Sequence, residues 1–273
     1  MPLDDAWVRL VDDAAIFPPG DAPLHEATAA YGARTAEEGA ELVGTFVLKD
    51  TDLPLVRGFG GPLSVVVTGG AGQLAGPVGL CAKLGLDLAG LEIALRDPDD
   101  LAGNAQRVVA ALRDLDTEVP VYVELPHVPH SSSWLAAADE VAAAELRLKF
   151  RTGGLDSAAF PAAHALARWI DAALDRETPF KCTAGLHNAV RHTGADGFEH
   201  HGFLNVLVAT RMLFDGASVD QAVTVLEQRE PDALVEAAQR LDLAGARRWF
   251  TSFGSCSVAE PLADLRDLGL LGG

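Results

Sequence analysis

The chain has 273 residues, of which 49% are hydrophobic, and a formal net charge of −18 at pH 7. This acidity excludes the basic footprint of a nucleic-acid-binding protein and attraction to an anionic membrane, and no apolar run approaches the roughly 18 residues of a membrane span. We therefore expect neither nucleic acid nor membrane as a partner, and three widely spaced cysteines without a CxxC pair favour a reducing cytoplasm.

Short apolar segments, each followed by a turn signal and a helical pattern, recur about eight times along the chain. The predicted strands are, in chain order, 14–20, 44–49, 63–70, 91–96, 121–126, 146–154, 179–187 and 247–257. Segment 203–209 is an alternative eighth strand, but its apolar residues continue at helical spacing to Met212 and predict a helix instead.

This alternation predicts an α/β fold, a (β/α)8 TIM barrel of parallel strands formed by residues 1–273 as a single domain, with a long helical insertion between strands 7 and 8. A doubly wound open sheet is the alternative. Strands of such a sheet are usually continuous hydrophobic runs, whereas several strands here carry polar residues at every second position. The barrel is therefore favoured, with the polar faces toward its axis. The absence of GxGxxG and P-loop motifs disfavours nucleotide binding.

The segment 146–154, LRLKFRTGG, shows this alternation most clearly. Its leucines and phenylalanine are expected to face the helices, and the cations Arg147, Lys149 and Arg151 the barrel axis. We expect Arg147 to be structural, Lys149 to carry chemistry and Arg151 to hold an anion. The alternative to function is an internal salt-bridge network, in which Glu92 and Glu124 balance Arg96, Arg147 and Lys149.

In such a barrel the active site lies at the C-terminal ends of the strands, where the catalytic candidates are Glu124, Lys149, Lys181 and His187. Lys149 and Lys181 lie on adjacent predicted strands, so each charge should disfavour the other and one pKa should fall. A lysine that is neutral near pH 7 can attack a carbonyl group and form a Schiff base. Glu124 or His187 would move protons.

Two segments about thirty residues apart, LKFRTGG and FKCTAGLH, resemble the sixth and seventh strands of deoxyribose-phosphate aldolase and other class I aldolases. VYVELP and FTSFGSCS are similar to the fifth and last strands of that family, so the resemblance covers the C-terminal half. It implies that Lys149 forms the Schiff base, that Lys181 lowers its pKa, and that the last turn holds substrate phosphate. Two positions depart from the family, since Arg151 replaces a small residue and Arg96 ends the fourth strand in place of an aspartate.

Two small-residue turns, TGGLD and FGSCSVAEP, lead into predicted helices, whose N-terminal N–H groups favour a phosphate or a carboxylate. Plain turns between strand and helix are the alternative. Cations at the strand ends would add positive charge for the same anion. The candidate anion-binding residues are Lys49, Arg96, Arg151, Thr152, Gly153, Gly154, Thr183, Gly254, Ser255 and Ser257.

Four histidines, His187, His192, His200 and His201, cluster without the spacing of a zincin motif. They suggest a rival function, a metal-dependent lyase or isomerase. Cys256, in the second small-residue turn, would be a nucleophile only beside a base, and the sequence identifies none.

We therefore expect a cytoplasmic lyase or aldolase-type enzyme that acts on a small anionic carbonyl compound, a sugar phosphate or a keto acid. It would use a lysine Schiff base and neither a cofactor nor a metal. A barrel that binds an anionic metabolite without turnover is a further alternative. The sequence leaves the oligomeric state open, including a homo-oligomer.

Overall fold

The computed structural model describes residues 3–34, 36–115, 117–127 and 131–271. Its strands are β1 (Val11–Asp13), β2 (Val43–Lys49), β3 (Leu63–Val67), β4 (Leu88–Ala94), β5 (Val121–Glu124), β6 (Arg147–Arg151), β7 (Phe180–Thr183), β8 (His192–Thr193), β9 (Glu199–His200) and β10 (Phe250–Ser255). Eight of them form a closed parallel barrel in the order β1, β10, β7, β6, β5, β4, β3, β2, while β8 and β9 pair as an antiparallel hairpin. The closed barrel confirms the predicted TIM-barrel arrangement over the open sheet.

Helices connect the barrel strands along the chain. They are α1 (Leu24–Arg34), α2 (Ala75–Leu84), α3 (Leu101–Arg113), α4 (Ser132–Ala143), α5 (Ala163–Asp175), α6 (Phe203–Phe214), α7 (Val219–Leu226), α8 (Pro231–Gln239), α9 (Leu243–Ala246) and α10 (Ala259–Asp267). Segment 203–209 lies in α6, so the eighth barrel strand is β10. Among the described helices, none is long and apolar enough to cross a bilayer.

The predicted first strand, 14–20, is wrong, because the strand is β1 and residues 14–20 follow it as turns. The reason is that β1 buries two carboxylates, which a hydrophobic pattern does not reveal. Asp12 accepts hydrogen bonds from the Thr45 side chain at 2.7 Å and from Ser252 at 2.6 Å. Asp13 lies 2.6 Å from the Arg34 guanidinium. These partners compensate the hydration that the two carboxylates lose on burial.

The two faces of β6 point as the alternation predicts. Leu148 and Phe150 are buried, and the Phe150 ring packs on Trp169 of α5 at a centroid distance of 5.8 Å. Lys149, on the opposite face, is buried among the charged side chains inside the barrel. Apolar burial against the helices therefore fixes the register that turns the cations of β6 inward.

Candidate functional site

A cavity of about 430 Å³ is formed at the C-terminal ends of the barrel strands. Its lining combines apolar side chains such as Phe17, Val47 and Val66 with the buried charges of Glu92, Lys149 and Lys181. Its polar lining also includes Arg151, Asp156, Thr183, His187 and Cys256. Barrel enzymes bind their substrates at this end, so the cavity is the candidate site.

Glu92 of β4 bridges the two lysines that line the cavity. Its Oε2 lies 2.7 Å from the Lys149 Nζ, and its Oε1 lies 2.8 Å from the Lys181 Nζ. Ser64 donates a further hydrogen bond to Oε1 at 2.6 Å. Lys181 also lies 2.6 Å from Asp12 Oδ2. The Glu92 carboxylate therefore lies between the two ammonium groups, for which the sequence predicted mutual repulsion.

Glu124 of β5 continues this arrangement beside the cavity: the described lining of the cavity does not include it, and it lines a neighbouring cavity that shares Arg151 and Asp156 with the first. Its Oε2 lies 2.9 Å from the Lys149 Nζ, and its Oε1 accepts a hydrogen bond from the Arg151 Nε at 2.8 Å. We call the resulting series the charge chain; its members are Asp12, Lys181, Glu92, Lys149, Glu124 and Arg151. Its charges alternate in sign and cancel, which reduces the cost of burying them.

The prediction that one lysine's pKa falls is wrong. Burial disfavours both ammonium groups, but Glu124 and Glu92 outweigh it and raise the pKa of Lys149 above its ordinary value. Asp12 and Glu92 likewise raise the pKa of Lys181. Burial disfavours the carboxylates too, yet the lysines hold the pKa of Glu92 below its ordinary value. Both lysines are therefore charged at neutral pH.

The alternative of an internal salt-bridge network holds in part. Glu92 and Glu124 both pair with Lys149, as that alternative requires. The two arginines pair elsewhere, since Arg147 donates to the Tyr122 hydroxyl at 2.9 Å and Arg96 donates to the Thr68 carbonyl.

The predicted anion-binding residues separate into two groups. In the part of the chain that the structure describes, the cavity is lined by Arg151, Gly154, Thr183 and Gly254. The described lining does not include Lys49, Arg96, Thr152, Gly153, Ser255 or Ser257. Lys49 and Arg96 are exposed side chains, and the Ser255 hydroxyl donates to the Ser257 carbonyl at 2.6 Å within its turn.

Gly153 is needed for packing. A Cβ atom there would lie 2.8 Å from the Cα of Gly185, closer than two carbon atoms can approach without a shift. The turns after β6 and β7 therefore touch backbone to backbone, which explains Gly153 without an anion.

The four clustered histidines do not converge on one site, although His192 and His200 contact each other. His187 lines the cavity, whereas His200 pairs with Asp196 at 3.0 Å and its ring stacks on His192 with centroids 5.2 Å apart. His201 is fully buried. Within the described ranges, no three His, Cys, Asp or Glu side chains are grouped to hold a metal ion. The geometry therefore gives the metal-dependent rival no support.

His201 makes the stability of the protein sensitive to acid. Its Nε2 donates to the Pro161 carbonyl at 2.8 Å, and Arg191 donates to its Nδ1 at 3.1 Å. Burial, with Arg191 adding to it, lowers the pKa of His201 from 6.5 to about 4. Between these values the unfolded chain binds the proton and the folded protein does not, so stability falls as pH falls.

We expect His201→Gln to make the loss of stability between pH 7.5 and pH 4.5 smaller than in the wild type by about 2–3 kcal/mol. Urea unfolding at a series of pH values measures this difference. Between pH 7.5 and 8.5 the two curves should run parallel, which is the internal control. Parallel curves over the whole range would contradict the assignment.

Sequence reasoning missed two residues of this site. Asp12 lies in VDD, a short acidic segment after Leu10 that gives no strand signal. Glu260, on α10, lies with its Oε2 2.8 Å from the His187 Nδ1, and the His187 Nε2 is 3.6 Å from the Cys256 Sγ. A base beside Cys256, which the sequence did not identify, is therefore present.

No protein-family model matches the chain, and no curated protein matches it significantly. The fold and the cavity thus define a (β/α)8 barrel with a charged site at the C-terminal ends of its strands, and the choice of function depends on the chemistry of that site.

Proposed function

We propose that the protein is a lyase or aldolase-type enzyme that acts on a small anionic carbonyl compound through a Schiff base on Lys149. One observation supports this proposal above the others. Lys149 is a buried lysine that lines the cavity, with two carboxylates, those of Glu92 and Glu124, within 2.9 Å of its amine. A nucleophilic lysine needs such a neighbour to take its proton.

Lys149 is a better candidate than Lys181 because a ligand in the cavity can reach Arg151, which shares the Glu124 carboxylate with Lys149. Lys181 is held by Asp12 and Glu92, which are both buried. Lys149 shares Glu124 with Arg151, whose side chain is 42% exposed and lines the cavity. An anion in the cavity can therefore compete with Glu124 for Arg151, while the partners of Lys181 stay in place.

This competition provides a way to neutralise the amine. Lys149 and Arg151 together hold the pKa of Glu124 below its ordinary value, although burial opposes them. When a substrate phosphate or carboxylate draws Arg151 away, the pKa of Glu124 rises, and Glu124 accepts a proton from Lys149. The neutral amine attacks the carbonyl carbon, and the oxygen takes one proton from the attached amine to give a carbinolamine. The hydroxyl group then takes the proton of Glu124 and leaves as water. The resulting iminium withdraws electrons from the bond to be cleaved.

Borohydride trapping tests the proposal. The chain contains four lysines, Lys49, Lys83, Lys149 and Lys181, so mass spectrometry assigns an adduct to one of them without ambiguity. We expect borohydride with a phosphorylated aldehyde or a keto acid to leave a stable adduct on Lys149. Lys149→Arg keeps the charge but cannot form the imine, and it should abolish the adduct, whereas Lys83→Arg should not.

Three outcomes separate the alternatives. An adduct on Lys181 would move the nucleophile to the other lysine and contradict the argument from ligand access. The absence of an adduct on either lysine, over a broad panel of anionic aldehydes and ketones, would contradict the Schiff base. Saturable binding of such an anion without adduct or turnover would favour the non-catalytic barrel.

A further inference from the structure

A second reactive group lies in the same cavity, outside the charge chain. Cys256 follows β10, is half-buried and lines the cavity, with its Sγ 3.6 Å from the Nε2 of His187. His187 follows β7, the neighbour of β10 in the barrel, and its Nδ1 lies 2.8 Å from the Oε2 of Glu260. The contact of β7 with β10 thus brings His187 to Cys256 and Glu260, which are 69 and 73 residues from it in sequence.

These three side chains stand in the order that nucleophilic catalysis requires. The carboxylate of Glu260 has no proton to give, so it accepts from Nδ1–H of His187 and holds the imidazole ring in place. In the neutral ring, Nε2 then carries the lone pair. The Cys256 Sγ lies 3.6 Å from Nε2 and 3.9 Å from Nδ1, so Nε2 is the nearer ring nitrogen. A nucleophile beside a base, with a third group that orients the base, is the arrangement that activates a serine or a cysteine.

We propose that Cys256, His187 and Glu260 form a nucleophilic triad that adds reversibly to the aldehyde carbon of a ligand in the cavity. In this step the Sγ–C bond forms as the π bond of the carbonyl group opens. The thiol proton passes to His187 Nε2 and from there to the new alkoxide oxygen, which gives a neutral thiohemiacetal. No other reactant is needed, and the reverse step releases the aldehyde.

The surroundings of Cys256 decide how the thiol reacts. Burial raises the pKa of the Cys256 thiol, and the nearby carboxylates of Glu260 and Asp13 act in the same direction, while the backbone N–H groups of Gly20 and Cys256 oppose them. The thiol is therefore protonated at rest and needs His187 to remove its proton during the attack. A thiol without a base would react only when alkali ionises it.

Labelling with iodoacetamide, followed by mass spectrometry of the native protein, tests the triad. We expect Cys256 to be labelled at pH 7.5 on the order of 100-fold faster in the wild type than in His187→Asn, and this ratio should shrink above pH 10, where the thiol ionises without help. Cys81 and Cys182 are buried and should stay unlabelled, which shows that each variant is folded. Equal rates in the wild type and His187→Asn would overturn the proposal.

Glu260→Gln tests whether Glu260 orients His187 or acts on Cys256 only through its negative charge. If Glu260 acts only through its charge, removing it lowers the pKa of the Cys256 thiol and speeds labelling. If it orients His187, the same substitution slows labelling severalfold. Slower labelling is expected, and faster labelling would overturn the role given to Glu260.

Propanal tests the aldehyde adduct. It should protect Cys256 from iodoacetamide in the wild type and equally in Lys149→Arg, because the thiol reaction does not depend on the lysine imine. Protection that is lost in Lys149→Arg would assign the aldehyde to the lysine instead, and no protection in either protein would overturn the thiohemiacetal. Borohydride trapping detects the lysine imine and not the thiohemiacetal. A negative result for one proposal therefore leaves the other proposal standing.

Discussion

Glu92→Gln is expected to destabilise the folded protein by about 3–5 kcal/mol at pH 7, the usual cost of removing one partner from a buried ion pair. Glu92 is 1% exposed and lies within 2.8 Å of both lysine amines. The amide keeps the shape of the side chain but leaves two buried ammonium groups short of one negative charge. Urea unfolding measures the loss, and Glu236→Gln, at an exposed pair with Arg240, is the control that should cost under about 1 kcal/mol.

The pH dependence of this loss identifies its cause. In the wild type the pKa values of Lys149 and Lys181 are raised above 10.5, so their contribution to stability is fully present below pH 10.5 and is lost as pH rises through the folded-state values. Without Glu92 both pKa values fall, and the folded variant releases protons at lower pH. The loss should therefore shrink as pH rises toward 10.5. A loss that is constant with pH would indicate a packing defect instead.

The sequence predicts the parts of this site that depend on strand periodicity. The alternation in β6 places Lys149 on the inner face, and the recurrence of strands about thirty residues apart makes β6 and β7 neighbours. The observed register confirms both, since Lys149 lies opposite Lys181 of β7 on one side and opposite Glu124 of β5 on the other. These inferences succeed because apolar burial against the helices sets the register.

The sequence does not predict the ionisation of the lysines, because that depends on carboxylates from distant strands. Asp12 is 169 residues from Lys181 and Glu92 is 89 residues from it, yet barrel closure brings both within 2.8 Å. Repulsion between neighbouring lysines was the effect that spacing alone indicates. Pairing with Glu92 reverses the direction of the predicted pKa shift, since the pKa of each lysine is raised. Cys256 and His187 are likewise 69 residues apart and meet only through the contact of β7 with β10.

Lys181→Met is expected to cost about 3–5 kcal/mol at pH 7 for the opposite electrostatic reason. Lys181 is 2% exposed, and without it Asp12 is a buried carboxylate whose side-chain hydrogen bonds come from the neutral donors Thr45 and Ser252. Glu92 keeps Lys149 but loses one of the two cations that lower its pKa. Lys83→Met, at an exposed position, is the matched control and should change stability by less than about 0.5 kcal/mol.

The loss in Lys181→Met should shrink as pH falls, the reverse of the trend for Glu92→Gln. Without Lys181 the pKa of Glu92 rises, so the folded variant takes up a proton at higher pH than the folded wild type does. The lowered pKa of Glu92 stabilises the wild type above pH 4.5. The wild type loses this stability as pH falls below 4.5, whereas the variant has less of it to lose. Urea unfolding from about pH 5 down to about pH 3 therefore measures the trend. The double variant Asp12→Asn/Lys181→Met should lose less than the sum of the single losses, because the first substitution removes the charge that the second leaves unpaired. Additive losses, or a pH trend of the same sign in both single variants, would contradict the alternating charge chain.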